Sequence, residues 1–542
     1  MKNSGLESGM FIDSDEDVEN DQHKYLNDGN DSDCSNYSNE NHSMRKPSNF
    51  NMAWPQSYRQ SIDLYGSVPS PNIGFLGTTS LSRLGSSFIS SSLTKRQTLE
   101  ILQPEKKPLL QPTEEEQLRH TLLPSQLSRK SSIRKDPSKV SHEVHIPGQC
   151  TFGQAVLNGI NALCGIGILS TPYAVKEGGW VGLSILLLYA LFSYYTGLLL
   201  RYCLDSSPGL ETYPDIGQAA FGTIGRVIIS IILYMELYAC CIEYIIVESD
   251  NLSTLFPNAH ITLGGIEVNA HILFAILTAL ALLPTVWLRD LRILSYISAC
   301  GVIATVLVVV CLIWVCLVDK AAIDHSQGTT TLNLATFPVA MGLYGYCYAG
   351  HAVFPNLYTA MANRNQFPGV LLVCFAICTS LYCAVAVVGY SAFGEGIHSQ
   401  FTLNMPQHLV AAKIAVWTTV VNPFTKYALS LSPVAMCLEE LIPPNHPSFN
   451  IYSKLIRTAL VLSTLAVGLS VPFFGLVMSL TGSLLTMFVS LILPAACFLS
   501  IRSGRISSFQ VALCVTIIIV GVVSSCFGSY SSLAEIIEKL FG

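Results

Sequence analysis

The chain is 542 residues long and half hydrophobic, yet only 12% of it is charged and its net charge is −6, where a soluble globular domain carries roughly 25% charged residues. That excludes an ordinary water-soluble globule. The charge is also near balance in both parts of the chain (16 Lys and Arg against 19 Asp and Glu in residues 1–149, then 14 against 17 in the other 393), which excludes the basic excess that nucleic-acid binding requires.

The first part, residues 1–149, is rich in Ser, Asn, Asp and Pro, with an acidic block at Asp13–Asp21 and a mixed basic and serine stretch at Ser128–Lys139. Without sustained apolar periodicity it reads as a disordered tail. Met1–Asp21 has no apolar core of the kind a secretory signal needs, so the tail is expected to stay in the cytosol. Within it, Glu105-x-x-x-Leu109-Leu110 has the form of an acidic dileucine sorting signal that an adaptor protein would read.

From Thr151 onward, apolar stretches of roughly 20 residues recur, each long enough to cross a hydrocarbon core about 30 Å thick. Eleven are predicted, over 151–174, 179–200, 225–248, 271–288, 292–318, 335–360, 367–393, 409–432, 454–471, 473–499 and 508–530, the ninth and tenth separated only by the turn near Pro472. The expected organisation is therefore a tail, 1–149, an all-α polytopic domain embedded in the lipid bilayer, 150–532, and a short C-terminal tail, 533–542. With the N-terminus inside, the cytosolic loops receive nine cations (Arg201, Arg226, Arg289, Arg292, Arg364, Lys454, Arg457, Arg502, Arg505) and the opposite side four (Lys176, Lys320, Lys413, Lys539). That asymmetry agrees with the missing signal sequence.

The first span, NGINALCGIGILSTPYA, carries Gly159, Gly165, Gly167 and Pro172 where a continuous helix should run. Each glycine costs a helix about 1 kcal/mol relative to alanine, and proline about 3. The sixth, FPVAMGLYGYCYAGHAVFPNLY, has the same defect at Pro338, Gly342, Gly345, Gly350 and Pro355. Gly167 to Pro172 and Gly350 to Pro355 share the spacing G-x4-P and are displaced by 183 positions. Two sets of five spans, each opening with an interrupted helix, is the signature of an inverted-repeat transporter with a midplane site at the breaks. Half-helix ends there offer amides to a carboxylate and carbonyls to an ammonium, so a zwitterion fits both. Glycines that merely let helices pack closely are the plainer alternative.

The stretch NGINALCGIGILSTPYAVKEGGWVG resembles the first-helix motif of the amino acid/auxin permease family, and WPQSYRQSIDLYGSVPSP in the tail resembles plant members of its vacuolar amino acid transporter branch. The likeness covers about residues 148–530. It implies eleven transmembrane helices, the first ten forming a LeuT-like five-plus-five inverted repeat with helices 1 and 6 broken. It also implies transport of small neutral amino acids coupled to protons or sodium, and a vacuolar membrane, with the plasma membrane as the alternative.

The substrate-binding candidates are Asn158, Asn161, Gly165, Gly167, Tyr238, Gly345, Tyr348 and Gly350; Tyr234, Tyr344 and Tyr346 lie nearby in sequence, although aromatics at helical spacing also serve plain packing. The ion-coupling candidates are Glu236, Glu243, His351, Thr425 and Lys426. Glu236 and Glu243 are seven residues apart on one helix face, about 10 Å along the axis, and an acidic group at that depth costs about 2.5–3.5 kcal/mol to insert, so it should be paired or protonated. His351 follows Gly350 in the sixth-helix break and is either a titrating group or a satisfied core histidine. Lys426 lies where the family's sodium-dependent members place a hydroxyl facing the first helix; its ammonium either takes the place of a sodium ion, favouring proton coupling, or snorkels to the interface. No CxxC pair, HExxH, GxSxG or Walker motif occurs, so neither metal, cofactor nor enzymatic activity is expected. The functional expectation is proton-coupled secondary transport of amino acids in an endomembrane; the alternatives are an amino acid sensor without net transport and an auxin or organic-acid permease.

Overall fold

The computed structural model describes residues 54–62, 150–263, 266–288, 291–318, 328–443 and 447–542, all within one compact unit, 49–542. The Glu105, Leu109 and Leu110 sorting motif lies outside the described residues.

Thr151 opens the membrane domain with a capping box: its hydroxyl accepts from the Gln154 amide, and the Gln154 side chain accepts from the Thr151 amide. Helix α1 (Phe152–Leu163) follows, then a 3₁₀ turn, Ile166–Ser170, then α2 (Thr171–Leu204). Inside α2 the backbone reverses at Gly179, whose φ of 69° suits glycine and where a Cβ would fall 2.5 Å from the Thr331 carbonyl oxygen. Helix α3 (Tyr213–Leu255) starts with a second capping box, Thr212 with Asp215, and Pro214 in its first turn. A small antiparallel hairpin, β1 (Ile261–Leu263) and β2 (Ile266–Val268), precedes α4 (Ala270–Trp287) and α5 (Leu291–Leu317). Two short helices, α6 (Phe337–Tyr346) and α7 (Phe354–Ala360), then flank a turn over 347–353. The chain continues through α8 (Phe367–Phe393), α9 (Val410–Glu439), α10 (Phe449–Ser470), α11 (Phe474–Thr481), two π-helical turns (Gly482–Thr486 and Phe488–Ile492), α12 (Leu493–Ile501) and α13 (Ser508–Phe541).

Among the described residues, seven helical stretches are long and apolar enough to cross a membrane, and the chain is a helical, multi-pass membrane protein. The face on which α1 begins, the proximal face, also holds the end of α7, joined to it through the Cys150–Met361 bridge, and the end of α12, where Arg502 donates to the Tyr202 carbonyl. The opposite, distal face holds the end of the first pass, where the Thr336 hydroxyl donates to the Glu177 carbonyl.

Two expectations change. The C-terminal tail expected at 533–542 is the last quarter of α13, which runs unbroken to Phe541 with a Glu535–Lys539 pair at 2.8 Å one turn apart. And residues 54–62, within the stretch expected to be disordered, form a helical turn, Ser57–Gln60, with Ser57, Tyr58, Ser61 and Ile62 buried against the membrane domain.

Helix α6 meets α11 and the start of the first π-turn backbone to backbone: a Cβ on Gly342 would lie 2.2 Å from the Ser479 carbonyl oxygen, and one on Gly482 would lie 2.0 Å from the Gly342 carbonyl oxygen. Neither neighbour is a flexible side-chain end. Gly342→Ala and Gly482→Ala are each expected to destabilise the detergent-solubilised protein by about 1–3 kcal/mol, the usual cost of overpacking, read as a lowered melting temperature beside an unaffected Gly153→Ala control, whose Cβ meets nothing within 4 Å.

Candidate functional site at the paired breaks

The interruptions cover equivalent positions. Residues 164–170 separate α1 from α2 and residues 347–353 separate α6 from α7, so the two windows are displaced by the same 183 positions as the G-x4-P motifs. In each case the proline enters the first turn of the second helix, Pro172 in α2 and Pro355 in α7, where its missing N–H costs no hydrogen bond.

The two breaks touch. The Cys347 thiol reaches to 4.0 Å from the Gly167 carbonyl oxygen, and a Cβ on Gly167 would sit 3.2 Å from the Tyr346 ring. Gly350 packs against the end of α1, where a Cβ would come within 2.8 Å of Leu163 Cδ2. Gly165 is different. Its backbone is extended (φ −91°, ψ −155°), and nothing lies within 4 Å of where its Cβ would be, so neither conformation nor packing accounts for a glycine there. The space beside it is open.

Carbonyls freed at the end of α1 are claimed by two side chains from other helices. Lys426 of α9 donates from Nζ to the carbonyls of Asn161 at 3.2 Å and Cys164 at 3.0 Å, and the Tyr382 hydroxyl of α8 donates to the Leu163 carbonyl at 2.6 Å. An ammonium thus sits at the negative end of a half-helix. Lys426 is 6% exposed, which decides against its snorkelling to the interface. Thr425, its neighbour, turns its hydroxyl back to the Asn422 carbonyl of its own helix at 2.7 Å.

Of the other expected residues, Tyr348 lies in the second break with its hydroxyl 3.0 Å from Thr379 Oγ1 and its ring stacked near Phe375. Asn158 lies beside the Cys150 thiol. His351 is fully buried, its Nε2–H shared between the Ser193 carbonyl and the Thr196 hydroxyl, each at 3.0 Å, which ties the second break to α2. Gly345 faces Met487 and Gly482 in the tenth predicted span, and Tyr238 points to α10, where its hydroxyl donates to Ser463 at 2.8 Å. Tyr238 is not brought to the breaks, whereas Gly345 borders the second, its carbonyl accepting from the Tyr348 amide at 3.1 Å.

Glu236 and Glu243 are both buried. Glu236 accepts from the Thr486 hydroxyl at 2.8 Å. Glu243 lies beside Tyr346 and Thr481, with neither carboxylate oxygen in a close hydrogen bond among the described residues. Tyr346 therefore connects Glu243 on one side to Gly167 on the other. Sequence reasoning missed Tyr382, one of many aromatics in an apolar run, and Glu248, buried beside Thr278.

Residues 148–534 match the family described as transmembrane amino acid transporter protein. The chain belongs to that family. It is 64% identical over 510 residues to amino acid transporter AVT1C of Arabidopsis thaliana, covering 92% of each chain, and 60% identical over 549 residues to amino acid transporter AVT1B of the same plant, covering the whole of both. It is also 29% identical to the vesicular GABA transporter of Caenorhabditis elegans over 71% of this chain and 80% of that one. The resemblance to the amino acid/auxin permease family seen in the first-helix motif is thereby established, and with it a transporter rather than an enzyme.

The two kinds of glycine separate experimentally. Gly350→Ala is expected to lower thermal stability, by about 1–3 kcal/mol, because Leu163 must move. Gly165→Val should leave the melting temperature in place while weakening amino acid uptake, the effect growing with substrate size. Uptake kinetics and melting curves on the same two preparations check this.

Proposed function

We propose that the protein is a proton-coupled secondary transporter of small, mainly neutral amino acids in an endomembrane, the vacuolar membrane first, with the tail and the proximal face in the cytosol. The chain crosses the bilayer eleven times, the first ten crossings forming the five-plus-five repeat, and alternating access turns on the paired breaks. The observation that carries this reading is the contact between residues 164–170 and 347–353, with open space at Gly165. The positive end of α2 suits a substrate carboxylate and the negative end of α6 its ammonium. The family and the names of the relatives support the substrate class.

Coupling by protons follows from who occupies the end of α1. A sodium site there would need the Asn161 and Cys164 carbonyls, and Lys426 holds both. The proton carrier is Glu243: it is buried with the Tyr346 and Thr481 hydroxyls beside its carboxylate and no cation paired with it among the described residues, and it reaches the first break through Tyr346. Glu236, held by Thr486, supports it, and His351 positions the second break. A two-unit pH difference is worth about 2.7 kcal/mol, which sustains about a hundredfold amino acid gradient with one proton per cycle.

The test is uptake into proteoliposomes with a panel of labelled amino acids under imposed pH and sodium gradients. Uptake should follow the pH gradient and ignore sodium; a strict sodium requirement would overturn the coupling, and uptake of auxin but no amino acid would overturn the substrate class. Glu243→Gln should abolish pH-driven uptake while sparing amino acid exchange, with Glu236→Gln milder. Lys426→Met should cut uptake by at least about tenfold, since a charge-assisted hydrogen bond to each of two buried carbonyls is worth about 1.5–3 kcal/mol.

A further inference from the structure

Residues 54–62 occupy a built site on the proximal face, and none of their contacts serves the transport chemistry above. The Trp54 indole donates to the Cys437 carbonyl of α9 at 3.4 Å, and the Gln56 amide donates to both carboxylate oxygens of Glu440 at 3.1 and 3.0 Å. Arg226 of α3, buried and paired with Asp215 at 2.6 Å, donates to the Trp54 and Pro55 carbonyls at 3.1 and 2.7 Å. Arg59 pairs with Glu211 and, at 2.7 Å, with Asp215. The Ser57 hydroxyl lies 2.6 Å from the Tyr234 hydroxyl, and the Tyr58 ring stacks on Tyr234 with centroids 5.5 Å apart. On the other side, Asn356 of α7 donates to the Tyr58 carbonyl at 2.9 Å and to the Ser61 hydroxyl at 3.2 Å.

The segment therefore bonds at once to α3, to the end of α9, and to α7, the helix that continues from the second break. It is a peptide ligand supplied by the chain itself, with charge matched to charge: its one cation meets two carboxylates, and its backbone carbonyls meet a buried guanidinium that would otherwise lack those partners. The strap is what ties α7 to α3 and α9, so if the site at the breaks opens to the proximal face by a movement of α7 away from those helices, the bonds of Asn356 to this segment must break. We propose that residues 54–62 are an autoinhibitory strap that holds the proximal side of the transport pathway shut, and that its release permits flux. What the strap controls rests on the transport reading; its docking does not.

The experiment compares the intact chain with Arg59→Glu, which sets a carboxylate against Glu211 and Asp215, and with deletion of residues 54–62. Amide exchange of the strap and amino acid uptake are read on the same proteoliposomes. The expected result is slow exchange over 54–62 in the intact chain, fast exchange in Arg59→Glu, severalfold higher uptake in both variants, and restored inhibition when a synthetic 54–62 peptide is added to the deletion variant. Fast exchange in the intact chain would overturn the docking. Uptake unchanged or lowered in a variant whose strap has come off, with its melting temperature kept, would overturn the inhibition. A docked strap with no uptake from any of the three chains would instead sink the transport reading.

Discussion

The structure turns on one constraint: a helix that stops inside the packed interior leaves carbonyls that other groups of the protein must satisfy. Helix α1 stops at Leu163, and the carbonyls of Asn161, Leu163 and Cys164 are answered by Lys426 and Tyr382. Both donors come from helices far along the chain, so the first break exists only in the assembled fold. The second break meets the same need differently. The amides of Tyr348 and Ala349 turn back to the carbonyls of Gly345 and Tyr346, and the His351 ring secures it to α2. One break is thus held by an ammonium and a tyrosine hydroxyl from other helices, and the other by its own turns and a histidine.

Charge elsewhere obeys the same economy. Arg226 and Arg457, read from sequence as loop cations, are nearly inaccessible and paired, Arg226 with Asp215 and Arg457 with Glu439, each at 2.6 Å. They still lie at the proximal ends of helices, so the asymmetry that suggests a cytosolic N-terminus is unaffected, but their partners give them a second role as anchors. Arg226 anchors the strap. Arg457 anchors α10 to α9 and donates to the Val286 carbonyl at the end of α4.

The interruptions were the most legible part of the sequence, because glycine and proline act through the local backbone: helix ends fall at Leu163 and Tyr346, and the next helices start beside Pro172 and Pro355. Lys426 was legible as an anomaly, since a lone cation in an apolar run demands an explanation, yet its target needed the fold. Tyr382 left no signal, being one hydroxyl among many aromatics. Tyr238 shows a related limit, since helical spacing gives a face and only packing says that this face meets Ser463 of α10. The strap was hidden because its composition is that of a solvated tail; what orders it is a set of partners spread over α3, α7 and α9.

A structure of the protein with its best-transported amino acid bound decides whether that amino acid sits between the two breaks. The ligand's carboxylate is then expected beside Gly165 at the start of the 3₁₀ turn, with Lys426 still on α1. Substrate density elsewhere, or Lys426 displaced from the Asn161 and Cys164 carbonyls by a sodium ion, would contradict it.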